Sequence, residues 1–223
     1  LKGTYLYAWG ENAQGQLGQN NKTQYSSPRQ IPGGTWRSIT GQRDVAYAIK
    51  TDGSLWAWGT GSGGRLGQNQ DGEKAWSSPK QIGTDTTWNH LSNQRVTLSG
   101  YGGQIFATKT DGTLWAWGIQ GDFGVLGLNQ APGGPDQNAR SSPTQIGTGT
   151  DWSLTDSNQM YVDTMCASAM KNDGSLWVWG GGQYGSLGQN SITPGYRSSP
   201  TQLPGTWSSG FATGLGAFGI KAG

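Results

Sequence analysis

Short apolar runs recur along the chain, each ending in Trp-Gly and followed by polar, glycine-rich sequence. The runs are LYAWG (6–10), LWAWG (55–59), LWAWG (114–118) and LWVWG (176–180). Both alternating sets of positions in a run are apolar, whereas a strand with one solvated face would alternate apolar and polar residues. The pattern therefore predicts β-strands that are buried on both faces.

Three further signatures follow each run in a constant order, which predicts four copies of one structural unit. The repeats start near residues 6, 55, 114 and 176 of a single 223-residue domain. The second signature is GxLGxN, the third is SSPxQ followed by Ile or Leu, and the fourth is a lone tryptophan. GxLGxN occupies 15–20, 64–69, 124–129 and 185–190, the Ser-Ser-Pro segments occupy 26–31, 77–82, 141–146 and 198–203, and the lone residues are Trp36, Trp88, Trp152 and Trp207.

Each repeat is interpreted as four short strands, called A to D. Strand A starts at the lone tryptophan, strand B is typified by VAYAIK (45–50), strand C is the Trp-Gly run, and strand D follows Ser-Ser-Pro. An Asp-Gly pair between two apolar runs indicates a tight hairpin, because glycine accepts the positive φ of such turns. Asp52, Asp111 and Asp173 are therefore predicted to be turn residues that join B to C rather than catalytic acids.

Four-stranded units of 50–60 residues, buried on both faces, are typical of an all-β protein of the β-propeller type. The combined motif LWAWGxxxxGxLGxN…SSPxQI…W…KTDG resembles the repeat of the RCC1 (regulator of chromosome condensation) family, in its bacterial or phage-type variant. The resemblance covers essentially the whole chain and implies blades made of four-stranded antiparallel sheets. The best-known members of the family have seven blades, whereas this chain has sequence for four.

The order of the strands raises the question of ring closure. The chain opens with strands C and D, ends with A and B, and has three complete sets between them. One interpretation is a four-bladed ring closed by pairing the N-terminal and C-terminal strands, which would remove both exposed sheet edges. The other is a fragment of a larger propeller. Because the chain begins at Leu1 without Met, we expect it to be processed, trimmed or an excerpt.

Composition excludes several classes of function. A net charge of +2 with scattered charges does not make the basic face of a nucleic-acid binder, and no apolar run is long enough to span a membrane. Cys166 is the only cysteine and is predicted to be a buried thiol, and His90 is the only histidine. Metal sites and catalytic triads need partners that the chain lacks, so we predict no enzyme activity, no catalytic residue, no metal and no cofactor.

Loop lengths indicate which face of the propeller binds a partner. Antiparallel order places the A–B and C–D loops on one face and the B–C and D–A turns on the other. From the Gly of Trp-Gly to Ser-Ser-Pro the C–D loops hold 15, 17, 22 and 17 residues, and in repeat proteins such variation marks the binding face. The predicted partner-binding residues on this face are Tyr25, Arg65, Trp76, Tyr101, Phe123, Arg140, Tyr184, Tyr196 and Arg197.

Three functions fit these observations. The first is a non-enzymatic interaction or structural module that binds a protein partner or its neighbours in an assembly, at a cell surface, outside the cell or on a phage particle. The second, implied by the resemblance, is guanine-nucleotide exchange or a chromatin-type regulatory role, for which the 119–141 insertion is the wedge candidate. The third is binding of a glycan to exposed Trp and Tyr side chains.

Overall fold

The computed structural model describes residues 4–42, 44–70, 74–91, 103–130, 139–153, 160–163, 165–191, 195–212 and 216–223. These residues form an all-β protein of antiparallel sheets, with two one-turn 3₁₀ helices at Ser62–Gly64 and Gln183–Gly185. The strands are β1 (Tyr7–Gly10), β2 (Tyr25–Gln30), β3 (Trp36–Gln42), β4 (Val45–Lys50), β5 (Leu55–Thr60), β6 (Ala75–Gln81), β7 (Trp88–Leu91), β8 (Gln104–Lys109), β9 (Leu114–Gly118), β10 (Arg140–Gln145), β11 (Trp152–Ser153), β12 (Met160–Val162), β13 (Cys166–Lys171), β14 (Leu176–Gly181), β15 (Tyr196–Leu203), β16 (Trp207–Ala212) and β17 (Ala217–Lys221).

The sheets follow the predicted blade order. β3-β4-β5-β6 and β7-β8-β9-β10 are four-stranded blades in the order A-B-C-D, and β13-β14-β15 form B-C-D of a third blade. Its strand A is divided into β11 and β12, which both pair with β13. A C–D pair, β1-β2, precedes these blades, and an A–B pair, β16-β17, follows them. The propeller architecture predicted from the repeats is confirmed.

Ring closure stays a prediction, because the two half-blades are separate sheets in this structure. β1 is paired with β2, and β17 with β16, and among the described residues the sheet order joins neither pair to the other. All five residues of β17 are exposed. Trp9 in β1 is 60% exposed, in contrast to its counterparts in the complete blades.

In each of the three complete blades, the tryptophan directly before the glycine of Trp-Gly lies in the core between blades. Trp58, Trp117 and Trp179 have no exposed surface. Each indole N–H donates to a backbone carbonyl of the preceding repeat, namely Gln16 O at 2.8 Å, Arg65 O at 2.9 Å and Val125 O at 2.7 Å. The equivalent, buried positions of these residues are confirmed, and they tie each blade to the C–D loop before it.

The leucine of GxLGxN packs under its own loop, as the sequence predicts. Leu17, Leu66, Leu126 and Leu187 are at most 6% exposed. The loop also reaches the next blade, because the N–H of the following Asn donates to a serine carbonyl there: Asn20 to Ser77, Asn69 to Ser141 and Asn129 to Ser198. The tryptophans fill the space between neighbouring blades, and the glycine-rich loops cover that space. This arrangement explains why tryptophans and glycine-rich loops alternate along the chain.

The Asp-Gly pairs form the predicted B–C turns and also organise the neighbouring side chains. Gly53, Gly112 and Gly174 have φ between 77° and 84°. Asp52 accepts hydrogen bonds from the N–H and the hydroxyl of Ser54, and that hydroxyl accepts the indole N–H of Trp56. The same relay joins Asp111, Thr113 and Trp115, and Asp173, Ser175 and Trp177. These hydrogen bonds lower the pKa of the three carboxyl groups, as their structural role requires.

Candidate binding face

The A–B and C–D loops lie on one face, as predicted from strand order. The N–H of Thr60, at the start of a C–D loop, donates to the carbonyl of Asp44 in the A–B turn at 2.9 Å. The same contact joins Ile119 to Gly103 at 3.0 Å and Gly181 to Met165 at 2.6 Å. On the opposite face, the D–A turns meet the B–C turns, since Trp88 N donates to Gly53 O and Trp207 N donates to Gly174 O. We call the first surface the loop face.

Four of the predicted residues occupy equivalent positions, one in each C–D pair. Each lies in strand D directly opposite the glycine of Trp-Gly: Tyr25 opposite Gly10, Trp76 opposite Gly59, Arg140 opposite Gly118 and Arg197 opposite Gly180. The prediction that these four residues lie in C–D loops is wrong, because strand D begins before Ser-Ser-Pro. Proline is accommodated there since strand D is the outer edge of each blade and its N–H positions need no ladder partner.

The two aromatic members of this set are partly engaged by their own strand. The guanidinium of Arg29 lies 5.1 Å from the ring centre of Tyr25, and the Lys80 amine lies 3.9 Å from that of Trp76. The hydroxyl of Tyr25 also accepts a hydrogen bond from Asn21. Cation–π contacts of this kind contribute about 0.5–1 kcal/mol at exposed sites, so these rings are held in place on the rim of the loop face.

The loop residues Arg65 and Phe123 serve mainly the joints between blades. The carbonyl of Arg65 accepts hydrogen bonds from the Tyr47 hydroxyl and the Trp117 indole, both at 2.9 Å. Phe123 is half-buried and packs against Gly181 of the next blade. Both residues lie on the loop face, but their described contacts are structural.

The most exposed part of the predicted set lies in the third complete blade. Tyr184 is 74% and Tyr196 is 44% exposed, and Arg197 is exposed. The C–D loop holds them together, since Gly182 N donates to Gly195 O at 2.7 Å. Arg197 donates to the carbonyl of Tyr196 at 3.3 Å, and the residue is exposed to solvent. We call Tyr184, Tyr196 and Arg197 the Tyr-Arg patch.

Two sequence predictions about this face fall outside the described residues. Tyr101 lies in the undescribed 92–102 segment, and residues 131–138 of the 119–141 insertion are also not described. The described part of that insertion is buried over Val125 and Leu126, which belong to a core cluster with Trp179. The role of Tyr101 and the wedge interpretation therefore stay predictions.

The single cysteine and the single histidine of the chain both lie in strands of the propeller. Cys166 is a buried thiol, as predicted, and burial together with the Asp163 carboxylate raises its pKa to about 12. His90 lies in β7, opposite Thr108, where partial burial and the Arg37 charge lower its pKa. Among the residues that the structure describes, no group of three or more His, Cys, Asp or Glu side chains is placed to hold a metal ion.

Sequence reasoning missed a repeated lysine site on the face opposite the loop face. In each complete blade the last residue of strand B is a lysine whose amine lies between two tryptophan rings. Lys50 is 5.2 Å from the ring centre of Trp36 and 3.7 Å from that of Trp56, and Lys109 and Lys171 repeat the arrangement. The sequence does contain a sign of this site. A lysine stands two residues before each of these Asp-Gly pairs, and a tight turn by itself does not require a lysine there.

Two of these lysines also form ion pairs. Lys109 meets Asp85 at 2.6 Å and Lys171 meets Asp151 at 3.0 Å. Partial burial raises the pKa of Asp85, but hydrogen bonds from Lys109 and Thr87 outweigh it and hold that pKa at about 2. The Lys–Trp arrangement therefore stabilises the turn face of each blade.

The first repeat is similar to a known repeat family. A family model of the regulator of chromosome condensation (RCC1) repeat matches residues 5–41. The motifs of that segment recur in the other three repeats, so the chain as a whole is similar to RCC1-repeat proteins. Within the described residues, no helix has the length and apolar character needed to cross a membrane.

Solved structures share the fold of this chain. Human WBSCR16 is 20% identical, with a TM-score of 0.68 over all of this chain and 54% of its own. Prp20p from Saccharomyces cerevisiae, studied together with its binding to Gsp1p and histones, is 19% identical, with a TM-score of 0.71 over 98% of this chain and 52% of its own. Yeast RCC1 (Prp20) bound to Kap60 gives 19% identity and a TM-score of 0.71 over 99% and 51%. The chain thus spans about half the length of these solved structures.

Proposed function

We propose that this chain is a non-catalytic β-propeller module that binds a protein partner through its loop face. The observation that carries this proposal is the Tyr-Arg patch, Tyr184, Tyr196 and Arg197, exposed on the face that also has the variable loops. Tyrosine and arginine are the residue types most enriched at the energetic centres of protein interfaces.

The chemistry of the patch favours a protein ligand. Tyr196 supplies an amphipathic ring whose ordering costs little entropy, and Arg197 supplies N–H donors for a partner carboxylate or backbone carbonyl. A net charge of +2 on 223 residues leaves no broad basic surface for a phosphate backbone. The expected partner surface therefore presents an apolar pocket beside an acidic or carbonyl group.

Proteins with the same fold support a protein ligand. Prp20p is described with Gsp1p and histones as binding partners, and a complex of yeast RCC1 with Kap60 has been solved. Within this proposal the chain decorates a cell surface or a phage particle of bacterial origin, because its surface is rich in Gln, Asn, Ser and Gly and low in charge. Such a composition suits an exposed assembly component better than a nuclear chromatin factor.

Site-specific photocrosslinking in the native assembly tests the proposal. A photoreactive phenylalanine analogue at Tyr196 is expected to form a covalent adduct with one protein partner. The same analogue at Asp173, in a B–C turn on the opposite face, is the matched control and should give no adduct. Adducts from Asp173 but not from Tyr196 would overturn the loop face as the binding face.

A second pair of variants separates binding from folding. Arg197→Ser combined with Tyr196→Ser should lose the partner while thermal unfolding is unchanged, because both side chains are exposed. Lys80→Ser on the outer rim of strand D should keep it. The purified protein is also probed on an oligosaccharide array. If it binds a glycan there and no protein partner is found, the carbohydrate-binding alternative replaces this proposal.

A further inference from the structure

A pocket lies at the joint between the second and third complete blades. Its volume is about 400 Å³, within the range of small-molecule sites. The C–D loop of the second blade, the D–A connection and the strands of the third blade contribute its walls, which include Leu128, Ile146, Gly149, Trp152, Lys171 and Pro200. The backbone N–H of Trp152 donates to the carbonyl of Gly112 in a B–C turn, so the pocket lies at the end of the joint that is away from the loop face. We call it the joint pocket.

The joint pocket coincides with a departure from the repeat in the D–A connection. The connection before the third blade reads IGTGTDW (146–152), whereas the one before the second blade reads IGTDTTW (82–88). Gly149 therefore stands where the second blade has Asp85, whose carboxylate meets Lys109 at 2.6 Å. Since glycine has no side chain, the corresponding space in the third blade is part of the pocket.

A second departure from the repeat lines the same pocket. Leu128 follows the Gly of its GxLGxN motif, where the other three repeats have glutamine. The side-chain amides of Gln19, Gln68 and Gln189 each donate to a backbone carbonyl of strand D, at 3.0, 3.0 and 3.4 Å. Leucine cannot make this bond, and its half-buried side chain forms an apolar wall of the pocket instead.

Three polar groups converge on the place that the missing side chain would take. A Cβ at Gly149 would lie 3.1 Å from Asp151 Oδ1, 3.3 Å from Trp152 Nε1 and 3.4 Å from Lys171 Nζ. Trp152 is 6% exposed, and its buried indole N–H has no hydrogen-bond partner in the part of the chain that the structure describes. Asp151 Oδ1 is ion-paired with Lys171 at 3.0 Å but accepts no hydrogen bond from the described residues. Buried polar groups are normally hydrogen-bonded, so this place can accept a polar ligand.

The second blade shows the same place filled by the chain itself. Asp85 Oδ1 accepts hydrogen bonds from the N–H and the hydroxyl of Thr87, at 2.8 and 2.7 Å, while Oδ2 meets Lys109. The lone tryptophans of the other repeats also have an unpartnered indole N–H, so that feature belongs to the repeat. In the third blade, the open space beside Gly149 gives a ligand access to it.

The charges in the joint pocket favour a neutral ligand. Lys171 and Asp151 compensate each other, so a carboxylate ligand would be repelled by Asp151 and an amine by Lys171. A hydroxyl group both accepts and donates a hydrogen bond. It can therefore accept from the Trp152 indole or the Lys171 amine and donate to Asp151. The apolar wall of Leu128 and Pro200 suits C–H groups. Hydroxyl groups on one side and C–H groups on the other are the chemistry of a sugar ring.

We propose that the joint pocket binds one neutral sugar residue. Its hydroxyl groups bond to Trp152, Lys171 and Asp151, and its C–H face packs on Leu128 and Pro200. The site lies away from the loop face, so it is independent of the proposed protein-binding function. A sugar in the joint pocket and a protein on the loop face can be bound at the same time.

Exchanging the two connections tests the proposal. The double variant Gly149→Asp/Asp151→Thr gives the third blade the connection IGTDTTW of the second. The net charge is unchanged, and the second blade shows that the fold accepts this sequence, so thermal unfolding should stay the same. The introduced carboxylate should fill the pocket.

Binding is measured by saturation-transfer difference NMR and isothermal titration calorimetry with a panel of neutral hexoses and their methyl glycosides. We expect the native chain to bind one sugar per chain and the double variant to bind it about 10-fold or more weakly, a change of about 1.4 kcal/mol. Equal binding by the two proteins, or no binding of any panel member by the native chain, would overturn the proposal. Binding of free sugar and glycoside alike indicates the end residue of a glycan, and binding of the free sugar alone indicates a small-molecule ligand.

The reverse exchange should create a second site. Gln68→Leu, Asp85→Gly and Thr87→Asp together make the counterparts of the residues that line the joint pocket identical in the second blade. The number of sugars bound per chain should rise from one to two. A folded triple variant that still binds one sugar would contradict the assignment of the site to these positions.

Tyr196→Ala is the matched control, because Tyr196 lies on the loop face. This variant should bind the sugar as the native chain does. Loss of the sugar in Tyr196→Ala, with binding retained in Gly149→Asp/Asp151→Thr, would place the sugar on the loop face and overturn the proposal. Crosslinking at Tyr196 reports on the protein partner alone, so failure of either proposal is recognised separately.

Discussion

Replacing Trp117 with alanine tests the central structural claim, that the tryptophan directly before the glycine of Trp-Gly joins each complete blade to the blade before it. Trp117 has no exposed surface. Its ring makes edge contacts with Tyr47 at 6.0 Å and with Trp88 at 6.1 Å between ring centres, and its N–H donates to the Arg65 carbonyl at 2.9 Å. Alanine would remove all three interactions and leave a cavity between two blades.

The expected magnitude follows from these contacts. Burial of an aromatic side chain of this size accounts for most of the effect, at about 25 cal/mol per Å² over about 150–250 Å². The lost aromatic pairs and the lost indole hydrogen bond add to it, although the Arg65 carbonyl keeps its bond from the Tyr47 hydroxyl, while partial collapse of the cavity reduces it. We expect Trp117→Ala to lower the free energy of unfolding by about 3–5 kcal/mol. In a chain of this size that corresponds to a fall in Tm of about 6–20 °C.

Urea unfolding followed by far-UV circular dichroism measures the change, with the m-value checked for constancy. Trp9→Ala is the matched control, because Trp9 occupies the same position of the repeat but is 60% exposed. Trp9→Ala should therefore cost less than about 1 kcal/mol. Equal losses in the two variants, or a loss below about 1 kcal/mol for Trp117→Ala, would refute the blade-joint role.

Two further predictions concern the backbone and an ion pair. Gly59→Ala should destabilise the fold by about 2 kcal/mol or more, because Gly59 has φ +100° and a Cβ there would overlap the Asp44 carbonyl. The control is Gly34→Ala, because Gly34 has φ +114° but open space around its Cα. Thermal unfolding measures both variants, and equal losses of stability would contradict the role of the overlap. For Asp85, a pKa held at about 2 instead of 3.8 means that the charged carboxylate stabilises the fold above pH 4 and that this stabilisation disappears as the pH falls from 3.8 to 2. The Tm difference between the native chain and Asp85→Asn should therefore shrink over that interval, and a constant difference would contradict the ion pair.

Local sequence determined the strands, the turns and the core of each repeat. Asp-Gly between apolar runs leaves the chain few choices other than a tight turn, so Asp52, Asp111 and Asp173 were placed correctly. A strand that is apolar on both faces needs other blades packed against both of them. For this reason Trp58, Trp117 and Trp179 could be assigned to the contacts between blades. Antiparallel order then set which loops share a face, and the hydrogen bonds between Thr60 and Asp44 and between Gly181 and Met165 confirm it.

The exposure of individual site residues was decided by tertiary contacts that no single repeat contains. Phe123 and Tyr184 hold the same position of the motif, yet Phe123 packs on Gly181 of the next blade while Tyr184 is 74% exposed. Trp9 and Trp117 also hold one position of the motif, yet Trp117 packs on the preceding C–D loop while Trp9 is 60% exposed. The start of strand D also depends on pairing with the glycine of a distant Trp-Gly run. For this reason Trp76 and Arg197, which the sequence analysis assigned to loops, lie in strands.

Ring closure shows the limit of local sequence most clearly. Counting strands makes the two half-blades complementary, but it does not say whether they close a four-bladed ring or belong to a larger propeller. That choice depends on the angle between successive blades, which is set by how Trp58, Trp117 and Trp179 pack against the preceding C–D loops. Small differences at each joint accumulate around a ring, so the repeated sequence determines the blade, whereas the angle between blades depends on packing that only the tertiary structure contains.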